Sequence, residues 1–307
     1  MFSVIIPVHN SAATIGAVLD SVRAQSLSDY EVIVVDDAST DGSGELASAH
    51  PLGCRVLERT QRSGPGVARN AGANLAHGEY LAFLDADDEW FPWTLAVFSE
   101  AIRRHGNPSV VAGSARRGLT NEDIGAKGAG EIKCKMHADY FATASQPLWL
   151  GVGGVLVRRE EFLKVGGFAE WDANSEDSDL WMRLGKSPGF VWIGSPTLFF
   201  YRESADSLTR RPQRISPGYL HLVRAEREGR YPGGSEARRL RRELLTRHTR
   251  AGSLTLLALG RCREAIALYS TTFLWNLSLG RVKYLVGFWM EVLGLAALRP
   301  SAVPGQS

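Results

Sequence analysis

The feature that most constrains the fold is a β-branched run ending in acids, Val32-Ile33-Val34-Val35-Asp36-Asp37, echoed further on by Tyr80-Leu81-Ala82-Phe83-Leu84 ending in Asp85-Ala86-Asp87-Asp88. Short apolar runs of this kind read as strands buried on both faces, as in a parallel sheet covered by helices. In such sheets ligands bind beyond the carboxyl ends of the strands. Two strands that deliver carboxylates to that edge predict a site for a charged ligand. The D-x-D spacing supplies the hard oxygen donors that Mg2+ or Mn2+ takes when bridging to a diphosphate.

The surrounding residues fit an α/β alternation. Ser3 to Val8 reads as a strand, and Ile15, Val18, Leu19 and Val22 then recur at helical spacing. Tyr30 to Val35, a short run at Arg55-Val56-Leu57, and Tyr80 to Leu84 are further strands, with a helix over roughly Val67 to Ala76 between the last two. After Pro92, the stripe Leu95, Phe98, Ile102 marks a helix that Gly106-Asn107-Pro108 stops. Strands are expected again at Ser109 to Ala112, Gly154 to Val157, Phe190 to Ile193 and Leu198 to Tyr201. Arg159 to Val165 is a short helix, and Ser175 is expected to N-cap another that runs through Leu184. The glycine-rich stretch from Gly118 to Gly130 reads as a loop or lid, and from about Arg211 the chain is helical. With 307 residues, 44% of them apolar, there is material for one catalytic unit and an appendage, divided here as 1–212 and 213–307.

Cys54, Cys134 and Cys262 are too widely spaced for a C-x-x-C metal site, so reduced thiols, no disulfide and no zinc are expected, in a cytoplasmic setting. Phe2 to Val8 is too short for the apolar core of a signal peptide, which leads to the expectation that the N-terminus is folded protein. The net charge of +2 is uneven: residues 210–250 hold twelve Arg against four Glu, residues 251–307 a basic surplus of 3, and the first 209 residues a net −9. A basic tail on an acidic body suggests a polyanionic partner or a membrane surface. Tyr284 to Leu298 is too short to span a bilayer. Peripheral attachment through Trp275, Phe288 and Trp289 is one expectation for the tail, and packing on the body or a second subunit is the other. Leu257 to Tyr269 also resembles one helix-turn-helix of a tetratricopeptide unit. No nucleic-acid-binding module accompanies the arginines.

Each acidic motif carries two readings. Asp85, Asp87 and Asp88 either solvate a loop or hold a divalent cation, with Asp87 as ligand and Asp85 on ribose or a metal-bound water. Asp36 and Asp37 either open the polar turn Ala38-Ser39-Thr40-Asp41-Gly42 or accept from a base N–H or ribose hydroxyl. Ser175-Glu176-Asp177-Ser178-Asp179 is either a helix start favoured by the dipole or the source of a general base, with Leu180, Trp181 and Leu184 anchoring the helix. Arg62 to Asn70 places glycines and arginines at a helix start, where phosphates bind, yet matches neither the P-loop nor the dinucleotide fingerprint.

Taken together, these motifs resemble the family 2 glycosyltransferases over most of residues 2 to 210. The pieces are Ser3 to Asn10, Val32 to Asp37 with Ser39-Thr40-Asp41-Gly42, Gly66 to Asn70, Asp85-Ala86-Asp87-Asp88, Gly166-Gly167-Phe168, and Glu176-Asp177 leading to Asp179-Leu180-Trp181-Met182-Arg183. The resemblance implies a GT-A fold, Rossmann-like with a mostly parallel sheet, followed by a C-terminal helical appendage. It implies inverting transfer from a nucleoside-diphosphate sugar, UDP-sugar favoured, to a glycan or lipid-linked acceptor in cell-surface or extracellular polysaccharide assembly, at the cytoplasmic face of a membrane. By the same resemblance Pro7, Val8, His9 and Asn10 line the nucleoside pocket with Asp36, Asp37 contacts the base, Arg69 and Asp85 lie near the nucleotide, and Asp85 and Asp87 form the D-x-D motif with Mn2+ or Mg2+. Asp177 inherits the role of base, with Glu176 as the alternative. Relatives often carry a His after the Tyr-Arg strand, where this chain has Glu203, so Arg202 or Arg210 is the candidate diphosphate contact. Two rival readings are a non-catalytic sugar-nucleotide-binding protein and a sugar nucleotidylyltransferase, although Pro7 to Asn10 is not the Gly-rich loop expected of the latter.

Overall fold

The computed structural model describes residues 1–118, 130–171, 173–203 and 212–294. Eight strands form one sheet: β1 (Phe2–Val8), β2 (Tyr30–Asp36), β3 (Arg55–Glu58), β4 (Tyr80–Phe83), β6 (Val110–Gly113), β8 (Lys133–His137), β9 (Val155–Arg158) and β10 (Phe190–Ser195), in the order β3-β2-β1-β4-β9-β6-β10-β8. Six run in one direction, and β8 and β9 are reversed. A smaller sheet of β5 (Glu89–Trp90), β11 (Phe199–Arg202) and β7 (Ala115–Gly118) stands beside it.

The period of two along the strands decides how the helices pack. Ile33 and Val35 face one layer, where α3 (Pro65–Leu75) and α6 (Glu176–Arg183) contribute Ala68, Ala73, Leu180 and Trp181. Val32 and Val34 face the other, filled from α1 (Ile15–Arg23), α2 (Ser43–Ser48) and α4 (Thr94–His105) by residues such as Leu19, Ala47 and Phe98. A short helix, α5 (Arg159–Lys164), follows β9.

The C-terminal helices begin within this core. α7 (Pro212–Arg227) and α8 (Arg238–Ala258) place Leu222, Val223, Leu244 and Leu245 in the same cluster as Phe141, Leu180 and Trp181. Each of these fully buried leucines is worth about 2–5 kcal/mol against truncation to Ala. Between α7 and α8, the buried Arg241 guanidinium donates to Glu226 Oε2 at 2.6 Å and to the carbonyls of Pro232 and Gly234 at 2.8 and 2.9 Å.

α9 (Cys262–Ser278) and α10 (Val282–Val292) follow through two copies of one turn. Gly260 and Gly280 take φ of +71° and +67°, and the next N–H, of Arg261 or Arg281, donates back to Leu256 or Asn276 at 2.8 and 3.0 Å. That is a Schellman stop, which needs a left-handed residue after the helix. Trp275 and Phe288 are buried, because each falls on the inner side of its helix, so of the three aromatics expected at a membrane only Trp289 is exposed. The helix expected from Tyr284 starts at Val282 and ends at Val292, and residues beyond 294 lie outside the described ones. Most of the stretch from Gly118 to Gly130, and Arg210, also lie outside them. Among the described residues no helix is long and apolar enough to cross a membrane.

Candidate active site

β2, β1 and β4 are neighbours, so their carboxyl ends open on one crevice. The Asp37 N–H donates to the carbonyl of Val8 at 2.8 Å, and that of Leu84 to the carbonyl of Ile5 at 3.0 Å. His9 Nδ1 donates to the Asp37 carbonyl at 2.9 Å, while Asn10 Oδ1 accepts from the Thr40 N–H at 2.9 Å. Pro7, Val8, His9, Asn10, Asp36 and Asp37 are thereby brought together. Asp36 caps the turn, accepting from the Ser39 N–H at 2.9 Å, and lies so close to Gly44 that a Cβ there would collide with it.

Asp37 shapes the loop before α3. Its buried carboxylate accepts from the N–H groups of Ser63 at 3.0 Å and Gly64 at 2.7 Å and pairs with Arg59 Nε at 3.2 Å. Pro65 then opens α3, a favoured place for proline. One turn on, Asn70 Nδ2 donates to the Phe168 carbonyl at 2.9 Å and Asn70 Oδ1 accepts from the Phe168 N–H at 2.8 Å. Gly166 and Gly167, at φ of +82° and +69°, supply the left-handed turn that presents Phe168 in this way.

Arg69 joins the two acidic segments. Its guanidinium, 4% exposed, donates to Asp85 Oδ1 at 2.6 Å and to Glu176 Oε1 at 2.9 Å, and lies over the Phe168 ring at 5.1 Å. Burial alone would pull this guanidinium down, but the two carboxylates more than offset that and hold it above its ordinary value.

The Asp85–Asp88 loop is charged and enclosed. Burial and the neighbouring Asp85 push the Asp87 carboxyl up to about 6, and burial with Asp85 and Asp87 lifts that of Asp88 well above the usual range. Asp88 Oδ1 accepts from the Arg202 N–H at 3.1 Å, and the Arg202 guanidinium donates to the Asp87 carbonyl at 3.2 Å and to Glu89 at 2.5 Å. Arg202 therefore braces the loop. Closely placed carboxyl groups that resist ionisation are a donor set suited to a hard divalent cation. Among the described residues no group of three or more His, Cys, Asp or Glu is placed to hold a metal ion by itself.

Across Arg69, α6 starts at Glu176. Ser175 occupies the cap position but its side chain makes no capping bond, because its backbone is left-handed at φ +79°. The expected serine cap is replaced by backbone geometry. Burial, then the charge of Glu176, raises the Asp177 carboxyl to about 7, with the Ser178 N–H at 2.5 Å and Arg69 acting the other way. Two tyrosines that the sequence did not single out also sense Asp177. Tyr140 and Tyr219 are both pushed up to about 12, chiefly by burial, with the Asp177 charge adding to it. Neither sits in a motif, and the signal that finds them is tertiary. Asp179 belongs to the framework instead, accepting from Arg183 Nε at 2.7 Å and the Tyr231 hydroxyl at 3.0 Å.

Residues 3–148 match the family model Glycosyl transferase family 2. The amylovoran biosynthesis glycosyltransferase AmsB of Erwinia amylovora is 44% identical over 96 residues, 29% of this chain and 31% of AmsB. The chain spans from 31% to 64% of the length of the first curated relatives it matches. In fold it is similar to residues 1–349 of S. aureus TarS in complex with UDP-GlcNAc, with a TM-score of 0.67, 19% identity, and coverage of 95% of this chain and 81% of that one. It is also similar to the mannosyltransferase PcManGT of Pyrobaculum calidifontis in complex with GDP-Man and Mn2+, with a TM-score of 0.54, 22% identity, and coverage of 95% and 86%. With the acid-bearing strand ends and these matches in hand, the chain has the GT-A fold and carries the glycosyl transferase family 2 match over residues 3–148.

Proposed function

We propose that the chain is an inverting glycosyltransferase that moves a sugar from a nucleoside-diphosphate sugar, UDP-sugar favoured, to an acceptor hydroxyl. The observation that carries this reading is the Arg69 bridge, which draws Asp85 of the D-x-D loop and Glu176, the neighbour of Asp177, to one guanidinium. A carboxyl titrating near neutrality is suited to general-base work. Asp177 takes the proton of the acceptor hydroxyl. The acceptor oxygen then bonds to the anomeric carbon from the side opposite the diphosphate, and the carbon–oxygen bond to phosphate breaks with its electron pair leaving on the diphosphate. A divalent cation, when bound by Asp87 and Asp85, supplies positive charge for that leaving group. Pro7 to Asn10, with Asp36 and Asp37, form the wall assigned to the nucleoside.

The likeness to TarS in complex with UDP-GlcNAc, and to PcManGT in complex with GDP-Man and Mn2+, supports a nucleotide-sugar donor and a divalent cation. The likeness to AmsB, an amylovoran biosynthesis glycosyltransferase, supports polysaccharide assembly as the setting. The test is sugar transfer by Asp177→Asn. General-base assistance is worth about 10²- to 10⁴-fold. A loss in that range with nucleotide binding retained supports the assignment, and transfer at the wild-type rate refutes it.

The same reading includes a peripheral membrane contact on the cytoplasmic side. Leu274, Val282, Val286, Trp289 and Leu293 are 72, 57, 57, 41 and 65% exposed on α9 and α10, with Lys283 exposed beside them. Apolar side chains interleaved with basic ones suit an anionic bilayer surface.

A further inference from the structure

The family match ends at residue 148, before the acids of α6 and before every C-terminal helix. The placement of Asp177 rests on Arg69, which holds its neighbour Glu176, and in addition on residues that follow the matched region. Three contacts bear on it. First, α7 lies with its backbone against the segment leading into α6. The Asn174 N–H donates to the carbonyl of Arg214 at 3.2 Å, and a Cβ on Gly218 would collide with the Asn174 carbonyl oxygen and stand 3.2 Å from Ser175 Oγ. Gly218 follows Pro217 inside α7, so the sequence places its smallest residue where the helix touches the segment.

Second, Ser175 is held at φ +79° and ψ +20°, a left-handed conformation that is unfavourable for a non-glycine residue. Such a conformation persists where the surroundings over-determine it. Here α7 packs against Ser175 from one side, and α6 begins immediately on the other. Third, the buried Tyr231, from the connection between α7 and α8, donates its hydroxyl to Asp179 Oδ1 at 3.0 Å, one turn into α6. α7 is itself seated on α8, because the Tyr219 ring lies where a Cβ on Gly252 would stand.

We infer that the C-terminal helices are part of the catalytic machinery, with Gly218 and Tyr231 as positioning residues that set where α6 presents Asp177. This rests on the assignment of Asp177 as base. The groups that sense or perturb Asp177 are Glu176 on its own helix, Arg69 of α3, Ser178, and the tyrosines Tyr140 and Tyr219. A shift of the segment alters all of these distances at once, and a displacement of about 1 Å in a catalytic group costs up to about 10²-fold in rate.

The experiment compares wild type, Gly218→Ala, Tyr231→Phe and Asp177→Asn in the full chain. It measures UDP affinity with Mn2+, kcat and KM for UDP release from UDP-GlcNAc across pH 5 to 9, and hydrogen exchange at Asn174. The expected result for Gly218→Ala is UDP affinity within about twofold of wild type, faster exchange at Asn174, kcat lower by about tenfold or more, and a displaced acid limb of the kcat profile. Tyr231→Phe, which keeps the ring and all α7 packing, is expected to lower kcat less and to move the same limb, and it carries the test if Gly218→Ala does not fold. Wild-type kcat and an unmoved acid limb in the folded variants, beside an inactive Asp177→Asn, overturn the positioning role alone. Wild-type kcat in Asp177→Asn overturns the base assignment beneath it.

Discussion

Arg69 reaches 107 positions along the chain to donate a 2.9 Å hydrogen bond to Glu176, while its other terminal nitrogen holds Asp85 at 2.6 Å. Replacing it with Met leaves both carboxylates without their buried partner. Breaking a fully buried pair costs about 3–5 kcal/mol; with Asp85 33% and Glu176 15% exposed, Arg69→Met is expected to lose stability in urea unfolding by less than that. Because the Arg69 charge also holds Asp177 down, the acid limb of activity in this variant is expected at higher pH than in wild type.

Asp177 sets a pH dependence of stability whose sign follows from its raised carboxyl. The unfolded chain releases this proton near pH 4 and the folded chain near 7, so between those values the folded state binds more protons and stability falls as pH rises. Asp177→Asn removes that penalty. Its melting temperature is expected to exceed that of wild type at pH 8, by the equivalent of roughly 1–3 kcal/mol, and to match it below pH 4. A variant no more stable than wild type at pH 8 contradicts a raised Asp177 carboxyl.

Asp87, raised to about 6 by burial and by Asp85, must lose its proton before it can ligate a cation. Mn2+-dependent binding of UDP is expected to be full at pH 7.5 and to weaken by about tenfold per unit as pH falls below 6. Titration calorimetry at pH 5 and 7.5 reads this directly. Equal affinity at the two values excludes Asp87 as a ligand.

The α9–α10 surface gives a separate expectation. Wild type is predicted to float with vesicles containing about one third phosphatidylserine at low salt, and Val286→Glu with Leu293→Glu to remain in solution while keeping its melting temperature, since both side chains are exposed. Flotation of the double variant to the same extent as wild type removes this surface from consideration.

Much of the architecture is legible in the chain because the signals are local. The β-branched runs at Ile33–Val35 and Val4–Ile6 read as strands, and Ile15, Val18, Leu19 and Val22 as a helix face, since side-chain periodicity reports burial within one element. The acids at 36–37, 85–88 and 176–179 are visible for the same reason, as clusters at element ends. Their division of labour is not. Asp36 caps a turn, Asp179 pairs with Tyr231 and Arg183, and Arg202 braces the D-x-D loop through Glu89, because each partner arrives from another part of the chain. Trp275 and Phe288 read as interfacial from composition alone, yet both close cores between helices, which only the packing of α8, α9 and α10 determines. Ser175 has the residue type of a helix cap, and the approach of α7 fixes its backbone otherwise.

In the proposed function the carboxyl ends of β1, β2 and β4 hold a nucleoside diphosphate through a cation on Asp87 and Asp85. The decisive experiment is calorimetric titration of UDP, GDP, dTDP and CDP into the purified chain, with Mn2+ and with EDTA, on wild type and Asp87→Ala. UDP is expected to bind wild type with Mn2+, and this binding to be lost with EDTA and in Asp87→Ala. Binding of no nucleotide to the folded wild type, or UDP binding unaffected by both EDTA and the substitution, contradicts it.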